Sequence, residues 1–211
     1  MELCLKVILW QSWKLCFKIM ISSVSVFCAS SQKVDQVYFH DALELGEILA
    51  HNQISVLYGG GAIGLMGCLA DTILKNGGKI TGIIPRFMLE QGWSHKKVNH
   101  IVVETMHERK KKLAENADAI IAMPGGVGTM EELLEMITLK QLGKLVVPIV
   151  ILNTNGFFNP LLSLFEQMIE QHFMRDIHRN LWTLVNKPSE VMNGIQNAPE
   201  WDGSAIKYAP A

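Results

Sequence analysis

Short, mostly apolar runs alternate along this chain with segments of helical periodicity, and that alternation restricts the fold more than any other feature. The apolar runs cover residues 24–28, 54–58, 79–84, 101–104, 119–123, 146–152 and 181–185. Between them, residues 38–51, 63–75, 106–116, 129–142, 160–172 and 188–197 read as helices, while a polar, aromatic-containing loop fills 85–100. Strands without a polar face need cover on both sides. The pattern therefore predicts an α/β fold with a mostly parallel sheet between two helical layers. With 211 residues, 49% of them hydrophobic, and neither repeat nor linker, the chain suits one domain around one sizeable core.

Nineteen basic residues against twenty acidic ones leave a formal charge of −1. No basic groove invites nucleic acid, single-stranded DNA included. Cys4, Cys16, Cys28 and Cys68 form no CxxC pair and have no histidine at ligand spacing, so free thiols in the cytoplasm are expected and no metal site. Thirteen of the first nineteen residues are apolar, but Lys6, Lys14 and Lys18 interrupt them. The longest unbroken apolar stretch, 7–10, is far below the ~20 residues of a membrane span. Residues 1–19 are read as an extension that precedes the fold, with Met20 a natural beginning and a surface anchor the alternative. The domain is then expected over 20–197, followed by an unstructured tail over 198–211 and no membrane association.

Eight of the seventeen glycines crowd two loops, each where a predicted strand gives way to a helix. In such folds ligands bind beyond the carboxyl ends of the strands, so both loops should line one pocket. The first loop runs Tyr58-Gly59-Gly60-Gly61-Ala62-Ile63-Gly64-Leu65-Met66-Gly67. Gly59, Gly61 and Gly64 satisfy GxGxxG, but the loop follows the second strand, and the third strand ends without the acidic residue that holds a ribose hydroxyl. What survives is backbone N–H groups able to approach an anion, alongside close packing through Gly64 and Gly67.

The second loop runs Pro124-Gly125-Gly126-Val127-Gly128-Thr129-Met130-Glu131-Glu132. It lacks the Lys-Ser/Thr ending of an ATP-binding P-loop, yet its glycines before a helix form an anion nest. Thr129 and Glu132 can be a capping box, with Glu132 merely satisfying backbone donors. Equally, a carboxylate beside a phosphate nest, with Arg109-Lys110 as counter-charge, suits chemistry at a sugar phosphate. Cleaving an N-glycosidic bond builds positive charge on the ribose, which a fixed carboxylate stabilises while it orients or deprotonates water. An arginine places the sugar by holding its phosphate.

Together with Val26-Phe27-Cys28-Ala29-Ser30-Ser31 and Met106-His107-Glu108-Arg109-Lys110, the two loops resemble in order and spacing the Lonely Guy family. Its members are cytokinin riboside 5′-monophosphate phosphoribohydrolases, often labelled lysine decarboxylases. The resemblance spans residues 24–155 and continues weakly to 197. It implies a Rossmann-like three-layer fold, a homodimer or higher homo-oligomer, and hydrolysis of AMP or an N6-substituted AMP to base and ribose 5-phosphate without a cofactor. By motif, Arg109 and Glu132 would be the catalytic pair. Gly125, Gly126, Val127, Gly128 and Thr129 would bind phosphate and ribose, with Lys110 and Glu131 beside them. Glu90, Thr138 and the wall formed by Gly59, Gly60 and Gly61 would complete the substrate contacts. The competing expectation is a non-catalytic nucleotide or cofactor carrier on the same fold. No lysine stands out as a pyridoxal phosphate anchor, so the decarboxylase label gains nothing from the residues.

Overall fold

β1 (Ser23–Phe27) lies at the middle of a seven-stranded, all-parallel sheet in the computed structural model, which describes residues 21–208. The strand order is β4-β3-β2-β1-β5-β6-β7. The other strands are β2 (Ser55–Tyr58), β3 (Ile80–Pro85), β4 (Asn99–Val103), β5 (Ala119–Ala122), β6 (Ile149–Leu152) and β7 (Thr183–Val185). The helices are α1 (Gln36–His51), α2 (Gly64–Lys75), α3 (Arg86–Glu90), α4 (Met106–Glu115), α5 (Val127–Gln141), α6 (Asn159–Glu170) and α7 (Val191–Gln196).

Side chains alternate along each strand, so β1 feeds two cores. Val24 and Val26 enter one with Leu45 and Leu49 of α1, Leu69 of α2 and Ile195 of α7. Phe27 enters the other with Leu113 of α4, Leu133 of α5 and Phe165 of α6. Each fully buried Leu, Ile or Phe contributes about 1.5–3 kcal/mol, and the two cores make the three-layer, Rossmann-like arrangement. The chain winds outward from β1 through β2, β3 and β4, then returns to its other side as β5. The connections after β1 and β5 leave in opposite directions, which opens a crevice at their carboxyl ends.

Two stretches differ from expectation. Within 85–100, expected as a loop, α3 forms a short helix whose first residue, Arg86, donates from Nη2 to Glu104 at 2.7 Å. Five residues are too few to show a helical period. The tail expected from 198 instead includes a 3-10 helix over Gly203–Tyr208. Trp201 Nε1 donates to the Lys140 carbonyl at 2.6 Å, a second bond at an acceptor that also takes the Gly143 N–H at 2.9 Å. Residues 1–19, with Cys4 and Cys16, lie outside the described residues. Among the described residues no helix is long and apolar enough to cross a membrane.

Lys140 is only 1% exposed, and its ammonium donates to the Val147 carbonyl at 2.9 Å. Burial pushes its pKa down to about 8. The unfolded chain, with an ordinary lysine near 10.4, therefore holds the proton more tightly. Stability rises with pH between roughly 8 and 10.4, and the whole penalty is present below 8. Lys140→Met should gain about 1–3 kcal/mol at pH 7, with the advantage shrinking toward pH 10. Urea unfolding at the two pH values checks this; a variant less stable than wild type at pH 7 refutes it.

Candidate active site

α5 starts two residues earlier than the sequence pattern suggests. Its N-cap is Gly126, no side chain caps it, and Val127 is its first residue. Thr129 is thus third in the helix and Glu132 sixth, too far along for a capping box. The capping-box reading of Thr129 and Glu132 is thereby excluded, and Glu132 turns to another partner. Val127, Gly128 and Thr129 precede the first intrahelical bond, from Met130 N–H to the Gly126 carbonyl at 3.1 Å. Their N–H groups supply the positive end of the helix. A Cβ on Gly126 or Gly128 would meet only open space, whereas one on Gly125 would collide with the Thr129 side chain. Val127 is 86% exposed on this rim, while Thr129 is buried.

α4 delivers the counter-charge. Thr105 caps it, accepting from Glu108 N–H at 3.1 Å, and one residue later Arg109 turns inward. Arg109 Nη1 donates to Glu132 Oε1 at 2.8 Å, in a pair with both residues under a tenth exposed. Nε donates to the Ile83 carbonyl of β3 at 3.0 Å, and Nη2 reaches the Gly59 carbonyl at 3.4 Å. The guanidinium is thereby oriented by two backbone segments, with donors left on its terminal nitrogens for a ligand. A Cβ on Gly59 would collide with Nη2, so the first glycine loop serves the pair directly.

Burial pushes the Glu132 carboxyl above the usual glutamate range. Arg109 and Lys110 oppose that shift and Glu131 adds to it. Beneath the pair, burial and the Glu132 charge push the Cys28 thiol up, which makes it an inert packing group.

The first glycine loop is held from above and below. Gly60, at φ +81°, accepts at its carbonyl from His95 N–H at 3.0 Å and from His100 Nε2 at 3.2 Å. A Cβ on Gly82 of β3 would run into the His100 ring and Gly60. Ala62 N–H donates to the Trp93 carbonyl at 3.0 Å, and Gly61 bridges Ser94. The segment after α3 is thus stitched along Gly60, Gly61 and Ala62, with exposed Glu90 at the end of α3.

Lys110 is engaged at two carboxylates, Glu131 Oε1 at 2.5 Å and Glu135 Oε2 at 2.6 Å. Thr138 stands apart from the other expected contacts. It lies roughly 16 Å along α5 from Val127 at the rise of a helix, with its hydroxyl donating to the Leu134 carbonyl at 2.8 Å. His100, Gly82 and Glu135 escaped sequence reasoning. Only Gly82 left a signal, as a glycine inside an apolar strand. Away from the crevice, His40, Asp41 and Glu44 bring one ligand atom each within 4.8 Å, but Asp41 already accepts from the Thr154 hydroxyl at 2.5 Å.

The family model described as possible lysine decarboxylase matches residues 66–195. A probable cytokinin riboside 5′-monophosphate phosphoribohydrolase of Oryza sativa subsp. japonica, LOGL1, is 43% identical over 72% of this chain and 69% of its own length. The cytokinin riboside 5′-monophosphate phosphoribohydrolase LOG1 of Arabidopsis thaliana is 39% identical over 79% of this chain and 78% of its own. Among solved structures, the molybdenum cofactor carrier protein of Chlamydomonas reinhardtii shares the fold, with a TM-score of 0.65 at 19% identity over 83% of this chain and 96% of that one.

Proposed function

We propose the reaction of a chain that belongs to the Lonely Guy family: hydrolysis of the N-glycosidic bond of AMP, or of an N6-substituted AMP, to free base and ribose 5-phosphate. The observation that carries the assignment of roles is the buried Arg109–Glu132 pair set beside the uncapped start of α5. The phosphate sits against the N–H groups from Val127 to Thr129, steadied by the free donors of Arg109. That anchors the ribose so that its C1′ faces Glu132. The bond from C1′ to the base nitrogen breaks, with the electron pair leaving on nitrogen. Water adds its oxygen to C1′, and one of its protons ends on the departing base.

Glu132 stabilises the charge on the ring and orients or deprotonates the water. A carboxyl whose pKa is raised by burial is suited to exchanging a proton nearer neutrality. Gly59, Gly60 and Gly61 wall the crevice, and Glu90 meets the substrate from the segment above it. The carrier alternative is less well supported, because binding alone gives no reason to bury a carboxylate that does not cap its helix.

The same reading places the enzyme in the cytoplasm as a homodimer. Free Cys28 and Cys68 support a reducing compartment. Partly exposed Leu134 of α5 and Leu142 just past its end, with Val146 beyond, support a subunit contact.

Incubation with isopentenyladenosine 5′-monophosphate and AMP should release base and ribose 5-phosphate in equal amounts, whereas adenosine, without a phosphate, should be left intact. Chromatography of the products checks both. Release of base from adenosine at the rate of AMP would defeat the phosphate assignment, and no release from any monophosphate would defeat the reaction.

A further inference from the structure

Of the twelve residues from Arg86 to Lys97, which carry α3 and the segment after it, only His95 is buried. α3 contributes no buried residue of its own, and the ion pair of Arg86 with Glu104 joins two side chains more than half exposed, where such pairs hold little. The place of this segment over the crevice therefore rests on what His95 holds. Its N–H donates to the Gly60 carbonyl at 3.0 Å, and its carbonyl accepts from Val98 N–H at 3.3 Å. In the side chain, Nδ1 accepts from Lys97 N–H at 3.3 Å, which leaves the ring proton on Nε2. That nitrogen lies 3.3 Å from Asp71 Oδ1 of α2. One imidazole thus joins α2, the first glycine loop and the segment after α3.

The first glycine loop leaves β2, which stands two strands from β5 and the start of α5, about 10 Å away by strand spacing. With the phosphate at α5, this side of the crevice falls to the far end of the nucleotide, where the base is. We propose that His95, held by Asp71, is a positioning residue for the base side of the substrate: it fixes the α3 segment, and Glu90 with it, before the nucleotide arrives. The inference rests on the phosphoribohydrolase reading of the same site. A segment already in its bound place needs no ordering on association. Released from His95, it would have to be ordered by each nucleotide, which weakens ground-state binding and leaves the chemistry at Arg109 and Glu132 alone.

Steady-state kinetics on AMP, set beside calorimetry with ribose 5-phosphate, which lacks the base, test this. His95→Leu keeps an apolar side chain in the buried place and loses both ring contacts. Its KM for AMP should rise about tenfold, the scale of one lost hydrogen bond, while kcat and the affinity for ribose 5-phosphate stay within about threefold of wild type. His95→Gln should return KM to within about threefold, because a glutamine amide reaches the place of Nε2 and still donates to Asp71. Asp71→Ala, at an exposed position of α2, should raise KM about fivefold. A leucine variant with wild-type KM would overturn the proposal, as would one whose ribose 5-phosphate affinity falls as far as its KM rises, since His95 would then serve the whole scaffold. A glutamine variant as impaired as the leucine one would overturn it too. If His95→Leu does not fold, Asp71→Ala decides: a raised KM beside unchanged ribose 5-phosphate affinity supports the proposal, and an unchanged KM overturns it. Wild-type protein that binds ribose 5-phosphate but turns over no nucleotide defeats the reaction. The same ratios are then read as AMP dissociation constants by calorimetry, and the positioning role stands or falls on them.

Discussion

Glu132→Gln should lower kcat on AMP-type nucleotides by about a hundredfold to ten-thousandfold with KM changed only a few-fold. Glutamine keeps the shape of the side chain, and its carbonyl oxygen still accepts from Arg109 Nη1, which lies 2.8 Å from Glu132 Oε1. What disappears is the negative charge that answers the developing cation and the site that takes a proton from water. Because the N–H groups at the start of α5 and the free donors of Arg109 remain, ground-state binding persists. The pH profile supplies an independent check. The wild-type carboxyl must be ionised to act, and burial holds it above the ordinary glutamate value near 4.3. Activity should therefore fall on the acid side at a higher pH than a solvated glutamate would give. A glutamine variant that retains the wild-type rate would remove Glu132 from the chemistry.

The Arg109–Glu132 pair and the glycine loops were legible in the sequence because their residue types are tied to local backbone geometry. Three glycines ahead of a helix announce an anion nest whatever surrounds them. The role of Glu132 was not decidable there, since a capping box and a catalytic carboxylate share the same spacing. Two residues of helix start separate them, and beginning α5 at Val127 removes the cap. Glu135 and His100 stayed hidden for a different reason. Each acts on a group distant in sequence: the ammonium of Lys110 for Glu135, the Gly60 carbonyl for His100. Trp201 likewise reads as part of a tail until the end of α5 presents it with the Lys140 carbonyl.

Arg109→Met should cost about 3–5 kcal/mol of folding stability as well as activity, because it leaves Glu132 buried without its counter-charge. The guanidinium also holds the Ile83 and Gly59 carbonyls, so two further acceptors lose a donor. A typical domain is stable by about 5–15 kcal/mol, so the variant should remain folded enough to measure. Its pH dependence follows from the stranded carboxyl. With Arg109 gone, the folded-state pKa of Glu132 rises further above the unfolded value near 4.3. Between those two values the folded state binds the proton and the unfolded state does not, so stability increases as pH falls through that window and is lowest above it. Urea unfolding at pH 7 and at pH 5 should therefore bring the variant closer to wild type at the lower pH. Adding Glu132→Gln removes the charge itself, and Arg109→Met/Glu132→Gln should recover about 1–3 kcal/mol at pH 7 while remaining inactive. That recovery separates the two roles of the pair: the stability belongs to charge compensation and returns when both charges go, whereas catalysis needs both groups and does not return. A single variant that loses less than about 1 kcal/mol, the scale of an exposed ion pair, would mean that water already compensates Glu132 and that the pair is not the closed unit on which the reaction depends.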